Sequence, residues 1–92
     1  MSSKSVFTGE YELLLRRLIS ARDAAGLTQH QLALRLNRPQ SFVSKYERGE
    51  RRLDVVEFVT ICRILAIDPS SIVGDIANLS AELSHRDEDT PR

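Results

Sequence analysis

From Tyr11 to Leu83 the apolar residues recur at three- and four-residue spacing, and no stretch alternates with the two-residue period of a strand. That pattern restricts the chain to helices packed on helices. Tyr11, Leu14, Leu15, Leu18 and Ile19 form one face of a first helix, expected over residues 9–25. Thr8 or Gly9 opens it, Glu10 and Glu12 suit its positive end, and Gly26 stops it. Thr28 stands three residues before Gln31, the spacing of a capping box, and predicts a short second helix over 28–36 with Leu32, Ala33 and Leu36 on one side. Asn37, which tolerates left-handed backbone, follows it. A third short helix fits 39–47, with Pro39 at or just before its first turn, Val43 and Tyr46 facing inward and Gly49 ending it. Asp54 and Glu57 repeat the capping signature, and Val55, Phe58, Val59, Cys62 and Leu65 carry a fourth helix to about residue 66. Asp68 and Pro69 start a fifth, whose Ile72, Val73, Ile76, Leu79 and Leu83 follow one stripe that Gly74 weakens.

The chain has 92 residues, enough for one core and no second. With no Trp, 5% aromatics and a single Cys, that core is aliphatic and holds no internal disulfide, as expected of a cytoplasmic protein. The longest apolar run is the four residues 64–67, far short of a membrane span, and residues 1–5 lack the apolar stretch of a secretion signal. Residues 1–8 are expected as a flexible tail, 9–83 as the folded domain and 84–92 as a disordered acidic tail. A domain this small buries only about 60% of its unfolded surface, which makes a partner subunit a reasonable source of further stability.

Formal net charge is zero, but it is unevenly spread. Residues 28–52 carry Arg35, Arg38, Lys45, Arg48, Arg51 and Arg52 against Glu47 and Glu50, a net of +4, whereas residues 75–92 carry a net of −3. Separated patches keep opposite local potentials even when the total vanishes, so the centre of the chain suits a polyanion.

No catalytic constellation is visible. His30 and His85 are far apart and lack Cys or carboxylate neighbours at ligand spacing, and no Gly-rich phosphate loop is present, so neither an enzyme, a metal nor a cofactor is expected. Cys62 lies on the apolar face of helix four, the place of a small core residue. The informative feature is the pair of short helices joined by Leu36, Asn37 and Arg38. Gln40, Ser41, Ser44 and Lys45 share the side of the third helix opposite Val43 and Tyr46, and such side chains can reach base edges in a major groove. Spacing alone leaves this open, because any surface helix is polar outside.

Residues 26–29 (GLTQ), Leu32 and Ala33, and residues 39–49 (PQSFVSKYERG) closely resemble the helix-turn-helix domain of the Cro and phage-repressor family, also called the XRE family. Weaker matches extend to about residue 76. The resemblance implies an all-α, lambda-repressor-like bundle of five helices, dimeric on pseudo-palindromic double-stranded DNA. It implies base readout by Gln40, Ser41, Ser44 and Lys45, and a phosphate contact at Gln29 that also braces the third helix. Thr28 at the same helix start, with Arg51 and Arg52 in the basic loop, completes the expected phosphate set. The family's internal ion pair falls on Arg22 and Glu47. Three departures stand out: Pro39 replaces the usual Ser or Thr cap, Asn37 the usual Gly, and Leu53 a frequent Pro.

Phe42 is expected half-buried, with contact to a thymine methyl as the alternative. Arg38 and Arg48 stand between phosphate contact and solvation. Ile72, Ile76, Leu79 and Leu83 are expected to form the interface of a homodimer, Ile72 being the one best placed to fold back on its own subunit. The expected function is a sequence-specific transcriptional regulator acting by occupancy of an operator. The alternative is an antitoxin that binds a toxin and autoregulates its operon, and a protein adaptor without DNA binding fits the basic segment least.

Overall fold

The computed structural model describes residues 9–88, with side chains through Ser84. Five helices follow one another: α1 (Gly9–Ala24), α2 (Gln29–Leu36), α3 (Gln40–Glu47), α4 (Val55–Leu65) and α5 (Pro69–Glu88). Among the described residues there is no strand. The helix starts form as their side chains dictate. Thr28 Oγ1 accepts the Gln31 N–H at 3.0 Å while Gln31 Oε1 accepts the Thr28 N–H at 2.8 Å, a reciprocal box that satisfies two otherwise orphaned donors. Asp54 and Glu57 do the same for α4, at 2.7 and 3.0 Å. Asp68 Oδ1 accepts the Ser70 N–H at the head of α5. Pro39 caps α3 with backbone alone, so the side-chain cap is lost as the sequence implies.

The ends depend on left-handed backbone. Asn37 closes α2 at φ 58° and gives its N–H to the Ala33 and Leu34 carbonyls. Ala66 closes α4 at the same φ, a conformation that costs a Cβ-bearing residue about 1 kcal/mol. Across this turn the Ile67 N–H donates to the Cys62 carbonyl at 3.0 Å, and the Ile67 side chain packs against the core.

The core is one cluster drawn from all five helices. Leu15 and Leu18 of α1, Leu32 and Ala33 of α2, Phe42, Val43 and Tyr46 of α3, and Phe58, Ile61, Cys62 and Leu65 of α4 are buried, with Leu27 and Ile72 closing the ends. Cys62 is a buried free thiol, as its position on the apolar face predicts. In α4 the buried stripe runs through Ile61, and Val55, expected inside, is 75% exposed. As the first residue of the helix it lies one turn ahead of Phe58, where packing begins.

Two expectations about α5 are corrected. Ile72, grouped with the interface but expected as the one best placed to fold back, is fully buried in its own subunit and drops out of the interface set. The helix also continues through Glu88, past the expected end at residue 83 and into the segment expected to be disordered. Nothing in residues 84–88 is a Gly or Pro, so no residue there interrupts the hydrogen-bond ladder. The expected tail at 1–8, and residues 89–92, lie outside the described residues. α5 runs antiparallel to α1: Arg17 pairs with Asp75 and Ser71, and one end further on Ser80 Oγ donates to Glu10 Oε2 at 2.6 Å.

Candidate nucleic-acid interface

The α2–turn–α3 unit is held from below by its apolar residues. Phe42 and Tyr46 pack edge to face with ring centroids 5.6 Å apart, and Val43 and Tyr46 are fully buried. This anchoring fixes the rotation of α3 and turns its other side outward. Gln40, Ser41 and Lys45 are exposed there. Ser44 differs. It is half-buried and its hydroxyl accepts from Arg48 Nη1 at 2.7 Å, while Arg48 also forms a two-pronged pair with Glu50. Three of the four expected readout residues thus share one free outward surface, and Ser44 sits at its edge in a local network.

The C-terminal end of α3 is pinned to α1 and α2. Arg22 Nε and Nη2 donate to the two Glu47 carboxylate oxygens at 2.7 and 3.1 Å, and Arg22 Nη1 donates to the Leu27 carbonyl at 2.8 Å. The side chains are 13% and 5% exposed, so the ion pair expected between these residues is present and largely buried. The hydrogen bond to Glu47 raises the Arg22 pKa further. Gln29 Nε2 donates to Glu47 Oε1 at 2.8 Å, so Gln29 braces the third helix through the same carboxylate. The Tyr46 phenol, one residue away, is fully buried and without a hydrogen-bond partner, and burial pushes its pKa well up.

A second cluster surrounds the other end of α3. Arg51 Nη1 and Nη2 donate to the two Glu57 oxygens, both at 2.9 Å, and Arg38 Nη2 donates to Glu57 Oε2 at 2.9 Å. Both guanidinium groups lie over the Phe42 ring, at 4.2 and 4.9 Å from its centroid. Phe42 is accordingly buried more deeply than expected, under two arginines. Arg51 as a neighbour and the Asp54 N–H as a donor hold the Glu57 pKa down to about 2, with Arg38 contributing as well. Arg52, the other expected phosphate residue, is exposed and lies over the Tyr11 ring at 4.2 Å. The sequence marked Glu57 only as a helix cap. An acidic residue so close to a basic loop is the signal that pointed to more.

Among the described residues no group of three or more His, Cys, Asp or Glu side chains is placed to hold a metal, and no helix is long and apolar enough to cross a membrane. The arrangement is instead a rigid polar helix face bordered by arginines.

Comparison with known proteins places this geometry. Residues 18–72 match the family model described as Helix-turn-helix. A solved structure described as an XRE-family like protein from Pseudomonas syringae pv. tomato str. DC3000 is 47% identical, covers 85% of this chain and 95% of its own, and superposes with a TM-score of 0.74. The clp gene regulator ClgR from Corynebacterium glutamicum shares the fold at 21% identity and a TM-score of 0.67, over 88% of this chain and 86% of its own. No curated protein matches by sequence. With its Helix-turn-helix match spanning α2, α3 and α4, and nearly half its residues shared with an XRE-type protein over most of both chains, this chain belongs to the XRE-type helix-turn-helix family.

Proposed function

We propose that this protein is a DNA-binding transcriptional regulator that reads a pseudo-palindromic operator as a homodimer. The observation that carries the reading is the outward face of α3, where Gln40, Ser41 and Lys45 stand exposed on a helix locked by Tyr46 below and by Glu47 at its end. Gln can pair with adenine through two hydrogen bonds and Lys can donate to guanine, so the face offers the donors and acceptors that base edges need. Ser44 serves beside them after Arg48 yields its hydroxyl. Thr28 and Gln29 present the first turn of α2, whose N–H groups and positive end suit a phosphate. Arg52 extends that contact along the backbone, and Arg51, paired with Glu57, stands beside it. Binding to phosphates supplies affinity and the α3 contacts supply sequence preference.

The dimer rests on the apolar surface that one subunit leaves uncovered. Val55 and Val73 are 75% and 52% exposed and border a groove of about 150 Å³ lined by Leu14, Leu53, Phe58 and Ile76. Leu79 and Leu83 continue that side along α5, Leu83 being 37% exposed. A two-fold contact there buries these residues and carries two recognition helices to one duplex face, about 34 Å apart. Selection of bound duplexes from a random pool tests the whole reading. A palindromic consensus is expected; recovery of sequences no different from the starting pool refutes sequence-specific binding.

A further inference from the structure

The cluster around Phe42 places a carboxylate against two arginines beside the first turn of α3. Arg38 precedes α3, Arg51 follows it, and both stack on a residue of its first turn, one position beyond Ser41. Their side chains are each 40% exposed, whereas Glu57 beneath them is 13% exposed. The carboxylate is therefore covered by the guanidinium groups while these keep an open side toward solvent. Among the described residues the Arg38 guanidinium has Glu57 and the Phe42 ring as its contacts, which leaves donors unused. Arg51 spends its fork on the same carboxylate and gives one further bond to the Arg52 carbonyl. A carboxylate and a phosphate present an arginine with the same pair of acceptor oxygens, so one can replace the other.

We propose that Glu57 sets the protein's affinity for DNA by holding Arg38 and Arg51 back from the phosphate backbone. This rests on the DNA-binding reading above and adds a positioning residue that acts through two arginines. Glu57 belongs to α4 and is bonded to Arg38, Arg51 and Asp54 rather than to any readout residue, so it tunes how tightly every duplex is held and leaves base preference alone. Two positive charges against one carboxylate leave the cluster net positive, and Asp54 also acts on Arg51 electrostatically. Once the carboxylate is neutralised, both arginines are free to release counterions from phosphate.

The discriminating variant is Glu57→Gln, because glutamine at this position keeps the capping box and removes only the charge. Binding of the full chain to a random-sequence duplex is measured from about 50 to about 200 mM salt, alongside the selected operator. The expected result is several-fold tighter binding of both duplexes at low salt, and a plot of log K against log salt steeper by about 0.9 for each arginine released. Adding Arg38→Gln and Arg51→Gln to this variant is expected to erase the gain. Arg51→Lys, which keeps the charge but breaks the fork, is expected to move affinity and slope in the same direction and serves if Glu57→Gln loses helical circular dichroism. An unchanged or shallower slope in the folded variant overturns the proposal while leaving the DNA reading intact, as does a gain that persists without both arginines. A parent protein that binds no duplex at the lowest salt overturns the DNA reading first and this proposal with it.

Discussion

Replacing Glu47 by Ala removes the carboxylate on which side chains of two other helices, Arg22 and Gln29, converge. Arg22 loses a two-pronged partner and keeps one hydrogen bond to the Leu27 carbonyl and a looser ion pair with the exposed Asp23 at 3.6 Å, and Gln29 loses the acceptor of its amide. Breaking one side of a buried pair typically costs about 3 to 5 kcal/mol because the remaining charge is stranded. Arg22 is 13% exposed and retains these two weaker partners, which puts the loss near the lower figure, about 3 kcal/mol, and the half-buried Gln29 bond adds roughly 0.5 to 1 kcal/mol. Domains of this size hold only about 5 to 10 kcal/mol in total, so the substitution removes a third or more of the stability. With a urea dependence of about 1 kcal/mol per molar for a small domain, the unfolding midpoint followed by circular dichroism should fall by roughly 3 M. Pairing Glu47→Ala with Arg22→Met should restore much of the loss, since an apolar replacement of both partners strands no charge. A midpoint that moves by less than about 0.5 M in the single variant, or a double variant no more stable than it, would refute the claim that this pair is buried and coupled.

Gln40→Ala should relax preference at one base position in a selected consensus, whereas Arg52→Gln should weaken all duplexes alike and lower the salt slope by about one; the reverse pattern sinks the assignment of roles. Gly74→Ala, at a helical position where an added Cβ meets nothing within 4 Å, should raise stability by about 0.5 to 1 kcal/mol in thermal melts, and a loss would mean that a second copy approaches that backbone closely. Glu57 has a folded pKa of about 2, below its ordinary value near 4.3, so its contribution is full above about pH 4.5 and is lost as pH falls toward 2. Glu57→Gln should flatten the acid limb of the stability curve in that window, and an identical limb in both proteins would count against the cluster. Val73→Asp with Leu83→Asp should convert a dimer into a folded monomer by sedimentation, and a dimer that survives both changes would move the interface elsewhere.

Much of this molecule is written in interactions that span four residues or fewer. The boxes at Thr28 and Gln31 and at Asp54 and Glu57, the left-handed Asn37, the starts of all five helices and the outward register of Gln40, Ser41 and Lys45 follow from local capping and from apolar spacing. Such terms are legible because the chain itself brings the groups together. The pairing of Arg22 with Glu47 is legible only through family resemblance, since nothing local brings residues so far apart into contact.

What spacing could not decide was how the helices lie against one another. The angle at which α4 crosses α3 brings Glu57 to Arg38, Arg51 and Phe42 and turns two apparently free cations into a covered ion cluster. The docking of α5 on α1 takes Ile72 into the core, and the position of α4 leaves Val55 outside it, although the apolar stripes treat these residues alike. Periodicity says which residues share a face of one helix. Which part of that face meets a neighbour depends on interhelical angle and offset, and those are set jointly by packing of the whole core, a property no short window of sequence contains.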